Sequence, residues 1–598
     1  MGVPKFAGWI FNNRTRKLTV PYIPQNVASL SFDVNSIIHG CAQIVYNYGE
    51  WQSEQRNIVL SELTDHQLEQ ELFKLIGDTF LRIVERVQPK LFLVLAVDGV
   101  APLAKVQQQR CRRYRAVVPN SSSSPSTPMR FDPNCITPGT DFMFRLDAYL
   151  KKWIETNHHL LPEKVLYSNH MVSGEGEQKI FDYVRNYELS GYGSHIIYGL
   201  DADLIILSLI SRLNGVYLLR EKNLDQNKFE RLIRIDELRN YIQDRMQTTT
   251  AIDDFAVLTF FLGNDFVPTS PMFVGDMYDT IEYLLDVYYK LGVPLTFPKE
   301  GKINIKNFLK FLKVLSGGEL ECLKNVYRHP PRLGFKTLEL STQSFIRNGE
   351  MVVKINKDEF YKNWYTKIFA PPIHQSEMAF ELPNALYLEI FEPSPKKIET
   401  LVKEYITSFL WTYLYYKKGT SAVDTHFFYA NGYAPLMSDV VKYFPLSDIS
   451  VSYVDHEPKF TTLHQLLAVL PPKSIHSLPS ELHSFYQPDS LIYDMFPVKV
   501  EIDTEAKDIE RLGVVRMNPV EPKRLLTLNL GMSEERMKRY KSENSLCFHR
   551  KIISEDAEPP IRNVAPLKEE PEKKEENEFP KNAFLRDFER LRKMKRDK

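Results

Sequence analysis

Over about its first 290 residues the chain alternates short apolar, β-rich runs with longer amphipathic stretches. Leu30–Val34, Leu91–Val97, Val165–Tyr167, His195–Gly199 and Val216–Leu219 are short blocks of the kind that form buried strands. Leu63–Val87, Phe142–Glu155 and Glu177–Leu189 carry apolar residues at helical spacing instead. A strand that is followed by a helix returns most easily to a parallel neighbour. The pattern therefore predicts an α/β fold, with a largely parallel central sheet flanked by helices on both faces, over residues 1–290.

The rest divides by composition. Asn120–Pro128, NSSSSPSTP, has no hydrophobic period and is expected to be an exposed loop. Residues 291–395 are irregular and predict no topology. Residues 396–550 form a second packed region, opened by the aromatic helix Ile398–Tyr416 and including Leu463–Leu470. Residues 555–598, containing KEEPEKKEENEFP, are too charged to fold and are expected to be disordered, with a short basic helix over Phe584–Lys598. The 76 basic and 76 acidic side chains cancel, so any contact with nucleic acid must rest on a local basic patch. Five scattered cysteines, Cys41, Cys111, Cys135, Cys322 and Cys547, show neither zinc-site spacing nor a disulfide framework. With no span-length apolar run and no secretory leader, an intracellular protein is expected. Cytoplasm is the first expectation; Arg592-Lys593-Met594-Lys595-Arg596 leaves the nucleus open.

The acids fall where chemistry is done in such sheets. Asp33 and Asp98 close two apolar runs, and Asp201 and Asp203 follow a third. Carboxyl ends of parallel strands line the ligand crevice. Glu175 and Glu177 sit on a Gly-rich turn opening a helix, and Asp265 ends the apolar helix Phe255–Leu262. Each has an ordinary structural explanation, as helix cap, first-turn acid or turn residue. Asp253-Asp254 fits best as a helix cap and is left out. Taken together, seven carboxylates at one edge would repel unless cations neutralised them. Oxygen-only ligands suit Mg²⁺, or Mn²⁺ as a substitute, and a pair of such ions is a common device for phosphodiester hydrolysis.

The same residues lie in motifs that resemble the Xrn-type 5′→3′ exoribonucleases of the flap-endonuclease superfamily. These are MGVPKF, DVNSIIHGC from Asp33, AVDGVAPLAKVQQQRCRRYR from Ala96, FDPNCITPGTDFM, SGEGEQKI from Ser173, GLDADLIILSL and FFLGNDFVPTSP. GYAPLMSD, QLLAVLPP and PDSLIYDMFPVKVEID continue the resemblance to about residue 550. It implies a nuclease core with two Mg²⁺ ions, one held by Asp33, Asp98 and Glu175, the other by Asp201, Asp203 and Asp265, with Glu177 near both. It also implies a terminal-phosphate pocket of Lys105, Gln109, Arg112 and Arg113. Their spacing independently puts these four on one helical face; Arg110 and Arg115 are read as solvated. His39 matches a residue that stacks on the terminal base. The family's Trp-rich segment is absent from Val423–Tyr429, where Phe427 is the nearest aromatic substitute. The long projection after the basic helix is reduced to Asn120–Pro128, and the chain resembles a minimal core without further C-terminal domains. The implied substrate is single-stranded RNA with a 5′-monophosphate, degraded to 5′-mononucleotides, with the second region closing the pocket. A structure-specific DNA endonuclease and a non-catalytic RNA-binding protein remain as alternatives. No protein partner is indicated.

Overall fold

A computed structural model describes residues 6–12, 18–49, 53–117, 130–186, 189, 191–220, 232–347, 350–371, 392–445 and 449–540. The expected loop at Asn120–Pro128 and the charged tail lie outside the described residues. Seven strands form one sheet: β1 Thr19–Val20, β2 Val27–Asp33, β3 Phe92–Ala96, β4 Lys164–Ser168, β5 Ser194–Tyr198, β6 Val216–Leu219 and β7 Leu232–Arg234. Their order is β1-β7-β6-β5-β2-β3-β4. From β6 to β4 all pairs are parallel; β7 on β6 and β1 on β7 are antiparallel. The predicted parallel sheet is thus present, with an antiparallel edge of two very short strands.

Helices cover both faces. They include α1 Val34–Val45, α2 Asp65–Val87, α3 Leu103–Val117, α4 Asp141–Asn157, α5 Gly176–Asn186, α6 Asp203–Ser211, α7 Ala251–Thr259, α8 Pro395–Lys418 and α9 Thr462–Val469. Helix α2 starts at a reciprocal cap between Thr64 and Gln67, which satisfies two otherwise orphaned amide donors. Its apolar stripe packs on the sheet: Phe80 meets Phe32 of β2 with ring centroids 5.0 Å apart, and Phe32 meets Tyr198 of β5 at 5.4 Å. Each such buried ring stabilises by about 1.5–3 kcal/mol. Helix α8 begins at the Ser394 cap with Pro395 in its first turn and ends at Gly419, whose φ of 85° an L side chain rarely adopts. From Tyr405 to Tyr416 every residue of α8 is buried, so it runs through the interior and not along a surface.

The connecting segment contributes a helix at Ile305–Arg328, a hairpin of Thr342–Arg347 with Glu350–Ile355, and a helix at Lys357–Phe369. The second region packs on α3 through α9. Here the expectation for two arginines is corrected. Arg110 is wholly buried, donating to the carbonyl oxygens of Ala468, at 2.7 Å, and Met495. Arg115 donates to the carbonyls of Arg511 (2.7 Å) and Gly513 (2.6 Å). Both are docking groups, because the face of α3 expected to be solvated is covered by chain from the second region. Asp253-Asp254 is also not a cap: Thr250 holds the cap position of α7. Asp253 pairs with Lys417 at 2.7 Å and Arg212 at 2.9 Å, and Asp254 accepts from the Thr296 hydroxyl at 2.6 Å and the Leu295 amide at 3.0 Å. Both acids are buried anchors between α7 and segments before and after it.

Candidate active site

The chain leaves β2, builds β3 and β4 on one side of it, then returns to place β5 and β6 on the other. The crevice of an open parallel sheet lies at such a reversal, beyond the carboxyl ends of the strands. Asp33 is the last residue of β2, opposite Ala96 of β3. Asp98 follows β3 by two residues, and Asp201 and Asp203 follow β5 across the reversal. Asp33 occupies the cap position of α1 but makes no side-chain cap hydrogen bond, so its carboxylate is not spent on the helix. Asp203 likewise is not a cap; it is the first residue of α6.

The acids are oriented by neighbours. Asn35 Nδ2 donates to Asp98 Oδ2 at 2.9 Å, and the Gly176 amide donates to Asp98 Oδ1 at 2.7 Å. Residue 176 must be small: a Cβ there would lie 2.9 Å from the Ala96 carbonyl oxygen and 3.2 Å from Asp33 Oδ1. Glu175 Oε2 pairs with Lys105 at 2.5 Å, and its Oε1 accepts from the Tyr415 hydroxyl at 2.6 Å. Lys105 also reaches Asp265 Oδ2 at 2.9 Å. Lys179, buried on α5, donates to the carbonyls of Val97 (2.6 Å) and Asn169 (2.9 Å) just past the ends of β3 and β4.

A cavity of about 440 Å³ is lined by Asp33, Asp98, Glu175, Glu177 and Asp201 together with His39, Lys105, Gln109, Arg112 and Arg113. An adjoining cavity of about 580 Å³ shares Arg112, Leu200 and Asp201 and is also lined by Asp265. Asp203 lines neither, but it is tied electrostatically to Asp265 and Asp201. Phe427 lines neither; its ring lies 6.3 Å from that of Trp411, half-buried beside α8. The proposed substitute for the missing Trp is therefore not brought to the cavity.

Burial, with Asp98 and Asp201 adding repulsion, holds Asp33 well above the ordinary carboxylate range. Burial and then Asp265 push Asp203 up to about 7. Glu177 is raised well above its usual value by burial, with Glu175, Asp203 and Asp201 repelling it against the pull of Lys105. Asp265 and Asp201 go the other way: burial raises both, but nearby positive charge, with Lys105 and Arg112 contributing, holds each below its usual value. Desolvated acids that repel one another are the setting in which a bound cation stabilises most. Asp203 Oδ1 is buried without a hydrogen-bond partner, and the donor set is oxygen only, so the residues fit a hard divalent cation. Among the described residues, no group of three or more His, Cys, Asp or Glu side chains stands ready-formed around a metal position. The positive charge among these carboxylates is the Lys105 ammonium.

Also lining the smaller cavity, Arg113 and Gln109 are buried, with Arg113 Nη1 and Gln109 Oε1 lacking hydrogen-bond partners; Arg112 is exposed. Burial, then Arg112, pull Arg113 down to about 9, so it stays charged at neutral pH. Burial, then Arg112 and Arg113, push His39 down to about 3, leaving a neutral imidazole. Asn35 and Tyr415 were not anticipated from the sequence. For Asn35 the available signal was an Asn two residues after a strand-end acid. Tyr415 had none, since a tyrosine in an aromatic helix has the pattern of core.

The fold and this strand-end arrangement define an α/β protein with an acidic cluster at the switch point of its sheet. Residues 1–222 match the family model described as the XRN 5′-3′ exonuclease N-terminus, and residues 386–583 match the Xrn1 helical domain. The chain belongs to the Xrn family. The second match runs past the expected boundary at 550 into the charged segment. The 5′-3′ exoribonuclease 1 of Homo sapiens is 27% identical over 92% of this chain and 35% of its own length. For the protein of that name from Saccharomyces cerevisiae the figures are 26%, 88% and 43%, and for 5′-3′ exoribonuclease 2 of Arabidopsis thaliana 26%, 76% and 59%. The chain thus spans less than two thirds of each of these relatives. Nucleases of this family are metal-dependent. Among the described residues no helix is long and apolar enough to cross a membrane.

Proposed function

We propose that the chain is a 5′→3′ exoribonuclease that hydrolyses 5′-monophosphorylated single-stranded RNA to 5′-mononucleotides. The observation that carries this reading is the single cavity lined both by five acids and by Gln109, Arg112 and Arg113. The cavity thus brings side chains that suit hydrolysis and side chains that suit a terminal phosphate to one enclosed space. Asp33, Asp98 and Glu175 would hold one Mg²⁺, and Asp201, Asp203 and Asp265 a second, with Glu177 near both; Mn²⁺ is the expected substitute. So held, the ions would supply positive charge against the charge that develops on the scissile phosphate.

The chain's own groups do the rest. Arg112 and Arg113 take the dianionic terminal phosphate, and a guanidinium offers paired donors that match its oxygens. Neutral His39 supplies a flat face to the first base, a contact that tolerates any sequence. Asn35, Gly176 and Tyr415 hold Asp98 and Glu175 in fixed orientations, so little reorganisation is needed when substrate arrives. The test is a magnesium-titrated decay assay on matched 5′-monophosphate and 5′-hydroxyl RNAs. Directional, Mg²⁺-dependent loss of the phosphorylated RNA is expected. Endonucleolytic cuts, or equal decay of both RNAs, would overturn the reading.

A further inference from the structure

Glu175 has both carboxylate oxygens committed. One goes to Lys105, 70 residues earlier in the chain, and the other to a tyrosine 240 residues later. That tyrosine, Tyr415, is fully buried on α8. Its ring stacks on Trp411 with centroids 4.8 Å apart and meets Phe266 edge-on at 5.7 Å. Phe266 is the residue next to Asp265. The phenol is thus wedged between the two segments that carry Glu175 and Asp265, with its hydroxyl hydrogen aimed at the former. A ring locked by neighbours on two sides has no freedom to turn away, so its hydroxyl defines where Glu175 Oε1 sits.

We propose that Tyr415 is a positioning residue of the acidic site, through which the second region orients Glu175 toward the cation that the site is read to hold. The inference rests on the functional reading above for its kinetic part, but not for its binding part. A hydrogen bond to a carboxylate from outside the ligand set fixes which oxygen, and which lone pair, faces the ion. Loss of such a bond typically weakens metal affinity or activity by about 10–100-fold. Without Tyr415, Glu175 would be free to collapse onto Lys105 with both oxygens.

The experiment compares the full chain with Tyr415→Phe and with Tyr405→Phe. Tyr405 lies on the same helix, equally buried, and its hydroxyl has no hydrogen-bond partner. Losing that hydroxyl reports on helix packing alone. Mn²⁺ binding is measured by electron paramagnetic resonance, together with thermal midpoints without metal and kcat and KM on 5′-monophosphorylated RNA over a range of Mg²⁺. Tyr415→Phe is expected to weaken Mn²⁺ binding by about tenfold or more and to lower kcat, with KM for RNA held within about twofold. Excess Mg²⁺ should recover part of kcat, and Tyr405→Phe should match wild type. Wild-type Mn²⁺ affinity in Tyr415→Phe, an equal loss in Tyr405→Phe, or no Mn²⁺ binding by the wild type would each overturn the proposal. If the wild type binds Mn²⁺ but leaves RNA intact, the functional reading fails, and the Mn²⁺ affinity ratio still decides for or against Tyr415.

Discussion

The Lys179 ammonium lies 2.6 Å from the carbonyl oxygen of Val97 and takes the place of a strand partner where the β3–β4 ladder has ended. Its other bond, to Asn169, holds the exit of β4 to the same point. The Asn169 carbonyl also accepts from the Val172 amide at 3.3 Å, whereas the Val97 carbonyl, just past the end of β3, is held by Lys179. Lys179→Met should therefore leave the Val97 carbonyl without this donor, at roughly 1–3 kcal/mol, and the Asn169 carbonyl with the Val172 amide alone. A thermal midpoint several degrees below wild type is expected; an unchanged midpoint would mean that the carbonyls find other donors.

Arg110 makes the comparable contact between the two regions, donating to Ala468 and Met495 from a fully buried position. Arg110→Met retains the stem and removes the donors. It should lower stability by roughly 1–3 kcal/mol for each buried carbonyl left without its donor. Limited proteolysis should then cut first between the two regions. A variant as protease-resistant as wild type would show that the docking does not depend on this guanidinium.

For the terminal phosphate, the double variant Arg112→Ala with Arg113→Ala should lose discrimination between 5′-monophosphate and 5′-hydroxyl RNA. Charge-assisted hydrogen bonds of this kind contribute about 1.5–3 kcal/mol each, so the wild-type ratio of decay rates should fall at least tenfold. Both RNAs are compared at one salt concentration, since phosphate contacts are strongly salt-dependent. A preserved ratio would place the phosphate elsewhere.

Asp203→Asn keeps the shape of a buried side chain whose Oδ1 has no partner and removes its charge. Hydrolysis should drop by about two orders of magnitude or more while RNA binding persists, because less negative charge repels the phosphates. EDTA should stop the wild-type reaction, Mg²⁺ should restore it, and Zn²⁺ should not, given oxygen-only ligands. Near-normal turnover in the variant would remove Asp203 from the site.

The two aromatic positions separate cleanly. His39→Ala should raise KM for short RNA, since base stacking is worth about 1–3 kcal/mol per base. Phe427→Ala should leave KM nearly unchanged, because that ring packs beside Trp411 and not on the cavity. The reverse ranking, read from the two KM values, would show that the loop carrying Phe427 rearranges around substrate.

How far the sequence could be read depended on how local each determinant was. Val216–Leu219 matched residue for residue, and the other four parallel strands and α2, α4 and α5 matched closely, because each is a run long enough to show its period. Thr19–Val20 and Leu232–Arg234 are too short to show one, so the antiparallel edge went unseen. The acids were legible because strand ends and Gly-rich turns mark them. Arg110 was not: helical spacing separates the faces of α3 but says nothing about which face a segment 358 residues further on will cover. Tyr415 failed for the same reason, since a tyrosine among Trp411, Tyr413 and Tyr416 reads as core until its partner is known. Lys105 was placed on the correct face, yet its ammonium is bound to Glu175 and Asp265, a pairing that joins residues far apart in sequence.

The span of the Tyr415–Glu175 hydrogen bond has a consequence for synthesis. Chains emerge from the ribosome N-terminus first and fold region by region. The β2–β6 sheet is complete once Leu219 has emerged, yet Glu175 has no phenol to orient it until α8 follows, and Arg110 stays unpaired until α9 arrives. A nascent chain therefore carries Glu175 through much of its elongation before the hydroxyl that orients it has been made.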